Sequence, residues 1–262
     1  MYINLRNILK RPQLYISIAA FMLCLLGSSL PIWLIRLSQG DRELMSAMDL
    51  SLIPVFFGGG ILLVPFCAAI SYASEQVLEL QTGFIKPYII RRSINRYVYE
   101  KVVSAGISGA LALGGGCLLH ILLWHCLAGT YNTALRPDIE VNFAENTLYA
   151  SLVRTPLGIA AYLHVVVGFA ITGAFWSIIG LWIATIIPDT QLVITIPVVI
   201  YYLWKSNFSI YLVGFELPDF TGFYNDGITM EKYTETLCFH AILLLAIVLD
   251  YRRRIRGHVD AK

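Results

Sequence analysis

Four stretches of this chain contain no Asp, Glu, Lys or Arg: between Arg11 and Arg36, Asp49 and Glu75, Lys101 and Arg136, and Arg154 and Asp189. Each exceeds the roughly 20 residues that a helix needs to cross the hydrocarbon core of a bilayer. An ionisable side chain at the bilayer centre costs at least about 2.5 kcal/mol, so charge-free runs of this length mark membrane spans. Two shorter runs, Asp189 to Lys205 and Glu235 to Asp250, complete a crossing only if flanking residues snorkel. The pattern predicts an all-α polytopic membrane protein, a single transmembrane domain over 1–262. Its six spans fall at about 13–35, 51–73, 102–127, 157–187, 190–206 and 234–251.

Composition removes other classes. The chain is 57% hydrophobic and 14% charged, where soluble domains carry about a quarter charged residues. Six spans therefore leave no room for a sizeable soluble catalytic domain. A net charge of +2 is too mild to argue for nucleic acid, which is not an expected partner. Cys24, Cys67, Cys117, Cys126 and Cys238 are odd in number and scattered, mostly in apolar runs. They read as small buried hydrophobes rather than a disulfide framework.

Loop charge sets the orientation. With both termini inside, thirteen of the nineteen basic residues lie on the inner side, and the outer loops hold eleven of the seventeen acids. This is the positive-inside distribution. Without the sixth span the Arg252 to Arg256 cluster would lie outside and break it. The expected location is a plasma (bacterial inner) membrane, multi-pass, with cytoplasmic N- and C-termini. A signal peptide is the competing reading of the N-terminus, but the apolar run continues to Ile35, too long for an h-region of about 7–15 residues. Residues 1–12 read instead as an interfacial helix, with Tyr2, Leu5, Ile8 and Leu9 on one face.

Enzyme and metal motifs are thin. No Gly-Lys dipeptide occurs, so the phosphate-cradling loop is absent and this chain is expected to bind no nucleotide of its own. The glycine triplets at 58–60 and 114–116 suit close helix approach. Gly106, Ile107, Ser108 and Gly109 spell the GxSG of rhomboid proteases, with His240 in the last span. Ser108 would lie near 10 Å inside the inner boundary at 1.5 Å per residue, and His240 about 6 Å below the outer one. In a core about 30 Å thick that leaves them roughly 14 Å apart in depth, too far for a nucleophile and its base. Cys117, His120, His125 and Cys126 cluster in the third span, but one helix cannot turn all four toward one ion. No metal site is expected. His164 is a further buried ionisable group, read as a hydrogen-bonded neutral imidazole or a functional residue.

The most specific feature is the inner segment 74–101. Glu75, Gln76, Glu79 and Gln81 alternate with Val77, Leu80 and Phe84 as in a short amphipathic helix, and Gly83 suits its C-terminal end. Pro87 to Arg96 follows, with Arg91 and Arg92, then Tyr97 and Lys101 as the chain re-enters the membrane. One reading is a basic loop lying on anionic lipid. The other is a docking element whose cytoplasm-facing acids and apolar knobs fill a partner's groove.

A small-residue second span ending with Pro65, then Glu75, Gly83, Arg91 or Arg92, Ser93, Tyr97 and Lys101, resembles the E…G…R-[ST]…Y…K pattern of ABC type-2 permeases, the membrane subunits of ATP-driven exporters. Pro87 departs from it. The resemblance covers six spans, an interfacial N-terminal helix, a coupling helix after the second span, here about Glu75 to Thr82, and an outer re-entrant segment before the sixth. It implies a permease half that couples through Glu75, Glu79, Leu80, Gly83, Arg91, Arg92, Tyr97 and Lys101 to a separate ABC ATPase subunit, which carries ATP and Mg. The other partners would be a second permease copy or a related permease, and the lipid bilayer. By the same resemblance, Phe56, Phe57, Thr195, Tyr201 and Tyr202 line the pathway. Phe215, Glu216, Asp219 and Phe220 belong to an extracellular gate, and the charge of that loop would favour a cationic or amphipathic substrate, such as a peptide-like one. An energy-independent channel or an assembly scaffold is the alternative, and an intramembrane serine protease a distant third.

Overall fold

The structure, a computed structural model, describes residues 5–38, 50–51, 54, 63–91, 93–128, 159–204 and 230–260. Its helices are α1 (Leu5–Leu9), α2 (Pro12–Ser38), α3 (Val64–Ile70), α4 (Ala73–Thr82), α5 (Ile85–Arg91), α6 (Ile94–Ala128), α7 (Ile159–Ala184), α8 (Thr190–Leu203) and α9 (Met230–Asp260). No strand occurs among the described residues. The all-helical architecture agrees with the sequence.

Three helices are long and apolar enough to cross a membrane, over Pro12–Ile35, Ile94–Leu127 and Leu163–Ala184. They are the first, third and fourth of the expected spans. Most of the second span, with Phe56 and Phe57, lies outside the described residues. Helix α8 is apolar but only 14 residues long. The apolar stretch of α9 is bounded by Glu235 and Asp250 inside a 31-residue helix.

Helix α7 has apolar residues all round, the pattern of a helix enclosed by others. It accordingly packs on α6, α3, α4, α8 and α9. Its contact with α6 is close, because Gly109 and Gly173 face each other. A Cβ on either residue would run into the carbonyl of the other. Gly116 does the same service against α2, where an added Cβ would stand 2.9 Å from the Ile18 carbonyl oxygen. Ser17 donates to the Cys67 carbonyl, and Ser108 to the Ser71 carbonyl at 3.0 Å. These small residues bring helices together where no hydrophobic force distinguishes helix from lipid. The GxSG serine thus commits its proton to the backbone, and the motif's last glycine is a packing contact.

Helix α6 begins at Ile94, ahead of the expected third span, because nothing between Ile94 and Lys101 breaks a helix and Ser93 caps it, its Oγ 3.4 Å from the Arg96 amide. Tyr97 and Lys101 are therefore on one continuous helix with the span. Among the described residues of the expected 1–12 interfacial helix, α1 covers Leu5–Leu9. Ile8 is buried beside Leu14 and Ala112 while Leu9 is exposed, so the two do not share the expected face.

Candidate functional site

Helix α4 follows α3 after a two-residue turn at Ser71 and Tyr72, where the Tyr72 backbone leaves helical geometry. It ends at Gly83, whose φ of 70° is the left-handed conformation that glycine adopts at no steric cost. The Gly83 N–H closes the helix onto the Glu79 and Leu80 carbonyls. The sequence-based expectation for this terminus is met.

The orientation of α4 is not the expected one. Glu75 and Glu79, read as acids offered to a partner, turn toward the protein's own helices. Lys101 of α6 forms an ion pair with Glu79, and its Nζ lies 3.3 Å from Glu75 Oε1. The Tyr97 hydroxyl donates to Glu79 Oε2 at 2.9 Å. Arg11, between α1 and α2, pairs with both oxygens of Glu75, one of them at 3.0 Å from Nη2. The Lys101 and Glu79 side chains are only 12% and 15% exposed. Two cations and two carboxylates share the pocket, so its charge is compensated, which is the condition under which burial is tolerated.

Uncharged groups extend the cluster to a fourth segment. The Gln76 amide lies 3.2 Å from the Tyr97 hydroxyl as donor, and its carbonyl oxygen accepts from the Tyr251 hydroxyl of α9 at 3.3 Å. The Tyr72 ring stacks under the Arg11 guanidinium, 4.7 Å from its centroid, with the Lys101 ammonium at 5.6 Å. Tyr88 of α5 bonds Glu100, and its ring meets that of Tyr97 edge-on at 5.3 Å. One α4 face is thereby fastened to α2, α6 and α9.

The outer edge of the stripe that carries Glu75 and Glu79 is open. Leu78 is 58% exposed and Phe84 56%, with Gln81, Thr82 and Gly83 exposed beside them. Of the expected coupling residues, Leu80 packs on the core, Arg91 is exposed at the end of α5, and Arg92 lies outside the described residues. Gln81 donates to the Pro188 carbonyl at 2.8 Å, which sets the turn between α7 and α8 next to this face. That turn exposes Ile186 and Pro188, and Asp189 caps α8 by accepting from the Gln191 and Leu192 amides.

The expected pathway residues separate on α8. Thr195 and Tyr202 are exposed on one stripe with Leu192 and Val199, whereas Tyr201 is buried with its ring 5.8 Å from that of Trp176. Tyr201 is a packing residue, since it follows the Val193 and Pro197 face by helical periodicity. Phe215, Glu216, Asp219 and Phe220 lie outside the described residues.

Among the described residues no group of His, Cys, Asp or Glu gathers as for a metal ion. His120 instead accepts from the Trp124 indole at 2.9 Å, with Ser29 Oγ 3.1 Å from the same nitrogen. His164 is half-buried on α7, and the five cysteines are free thiols, Cys126 and Cys238 exposed. His240 stands edge-on to Phe175 at 5.4 Å.

Sequence reasoning missed Arg11, Tyr72, Gln76 and Tyr251 as members of the cluster. The available signal was two i, i+4 pairs that complement each other, the acceptors Glu75 and Glu79 on one helix and the donors Tyr97 and Lys101 on another. Compared with known proteins, the chain matches no family model, no curated protein and no solved structure.

Proposed function

We propose that this chain is the membrane-spanning permease subunit of an ATP-driven exporter of the ABC type-2 kind. It contributes half of a translocation pathway and couples to a separate ATP-hydrolysing subunit. In this reading six helices cross the plasma (bacterial inner) membrane with both termini in the cytoplasm, and α4 is the coupling helix. The second half is another copy or a related permease, and the substrate is amphipathic or peptide-like.

The closeness of exposed and tied side chains on α4 is the observation that supports this reading. Leu78, Gln81 and Thr82 present exposed apolar and polar groups that suit a groove on a partner. Glu75, Gln76 and Glu79 are tied by ion pairs and hydrogen bonds to helices that run on into the apolar bundle. A push on the exposed groups is then transmitted to α2, α6 and α9 together, because packed interiors transmit displacement rather than absorb it. The contact residues become Leu78, Gln81, Thr82 and Phe84, with Ile186 and Pro188 of the neighbouring turn. Glu75, Glu79, Tyr97 and Lys101 become the linkage behind them.

Purification of the tagged chain in mild detergent, with mass spectrometry of what accompanies it, tests the reading. Recovery of a subunit bearing a phosphate-binding ATPase loop is the expected result. Recovery of this chain alone, in several detergents and with nucleotide present, would return the choice to a channel or scaffold.

A further inference from the structure

Helix α9 does not stop at Asp250 but continues to Asp260. At 1.5 Å per residue this adds about 15 Å. The extension is two-faced. Tyr251 and Ile255 are buried and Val259 packs on the same core, while Arg252, Arg253 and Arg256 are exposed. Arg254 is spoken for, with Nε 2.6 Å from Asp250 Oδ2. Arg252, Arg253 and Arg256 make no salt bridge among the described residues.

Their level in the bundle is marked by aromatic residues with polar tips. The Trp182 indole at the end of α7 donates to Asp250 Oδ2 at 2.8 Å, and Tyr251 reaches the Gln76 amide. Trp182 is partly exposed, and a Trp whose indole N–H meets a polar group suits the boundary between hydrocarbon and headgroups. Arg252 and Arg253 follow within three residues of its partner Asp250, and Arg256 stands one turn beyond Arg252 on the same side.

We propose that Arg252, Arg253 and Arg256 form a binding face for the headgroup phosphates of anionic phospholipid in the leaflet on that side. The chemistry is specific to arginine in one respect: the guanidinium presents paired N–H donors to phosphate oxygens, which an ammonium does not. The hydrocarbon part of the same lipids meets Leu245 and Leu249, which are exposed just above the arginines on α9. The rigid anchoring of the opposite face on Tyr251 and Ile255 holds the three side chains toward the membrane boundary instead of leaving them on a loose tail. This assignment does not depend on the transport reading.

The test reconstitutes the full chain in phosphatidylcholine vesicles doped with dansyl-phosphatidylglycerol or dansyl-phosphatidylcholine and reads tryptophan-to-dansyl energy transfer. Wild type is expected to enrich the anionic probe over the zwitterionic one. The R252Q/R253Q/R256Q variant is expected to lose that preference by about fivefold or more. The R252K/R253K/R256K variant keeps charge and topology and is expected to retain part of it. Equal transfer to the two probes in wild type, or an undiminished preference in the properly inserted glutamine variant, overturns the proposal. So does a glutamine variant whose lipid preference is intact but which sheds a protein partner, since the face would then belong to that protein.

Discussion

Lys101, on the long helix α6, forms an ion pair with Glu79, on the short helix α4, and the Tyr97 hydroxyl one turn away holds the second oxygen of the same carboxylate at 2.9 Å. The pair joins a membrane-length helix to a short helix that also exposes Leu78. Arg11 and Glu75 repeat the arrangement toward α2, and Gln76 with Tyr251 toward α9.

Lys101→Met is expected to destabilise the protein by about 3–5 kcal/mol, because it strands the mostly buried Glu79 carboxylate and leaves Glu75 to Arg11 alone. Glu79→Leu added to Lys101→Met recovers part of the loss, since the second change removes one stranded charge. Thermal unfolding in detergent of the two single variants and the double variant checks this. Additive losses would mean that the two side chains do not interact.

Glu79→Arg follows the same logic. It places a third cation beside Arg11 and Lys101, so reduced yield of folded protein is expected, before any question of partner binding. Fluorescence-detected size-exclusion of a tagged variant reads it. A monodisperse peak at the wild-type level would contradict the inward position of Glu79.

Leu78→Glu and Phe84→Glu act on the open face. Both side chains are more than half exposed, so stability is expected to change by no more than about 0.5 kcal/mol. Loss of the ATPase subunit from the purified complex is expected at the same time. Retention of a fully active complex by both variants would remove this face from the coupling surface.

Gly109→Ala is expected to cost at least about 1–3 kcal/mol, because the new methyl meets backbone on α7 and neither helix has room to yield. Gly257→Ala is the control. Nothing lies within 4 Å of an added Cβ there, so replacing glycine inside α9 gains about 0.5–1 kcal/mol.

Labelling separates the residues of α8. In a background free of native cysteines, Thr195→Cys and Tyr202→Cys are expected to react with a hydrophilic maleimide at rates that change when ATP is added. Tyr201→Cys stays protected by its packing on Trp176. Nucleotide-independent labelling at both exposed positions would count against a pathway along that stripe.

Helix type, the three long spans and the end of α4 were legible because each rests on local chemistry: absence of charge over a run, and a glycine at a helix terminus. The direction in which Glu75 and Glu79 point was not. An acid on an amphipathic helix looks the same in sequence whether it meets water or a buried lysine. The difference lay in Arg11 and Lys101, which meet Glu75 from 64 and 26 residues away in the chain. The start of α6 lies outside the apolar run that marks its span. Arg96, Glu100 and Lys101 end a hydropathic run but do not end a helix, and Arg96 with Glu100 even supports it as an i, i+4 pair at 3.0 Å.

The central claim is that the open face of α4 seats an ATP-hydrolysing subunit, and site-specific photocrosslinking in native membranes tests it most directly. A photoreactive residue at position 78 or 84 is expected to give an adduct containing a subunit with a phosphate-binding ATPase loop, and one at position 79 none. Adducts from 78 and 84 that contain only lipid, or an ATPase adduct from 79 alone, would contradict it.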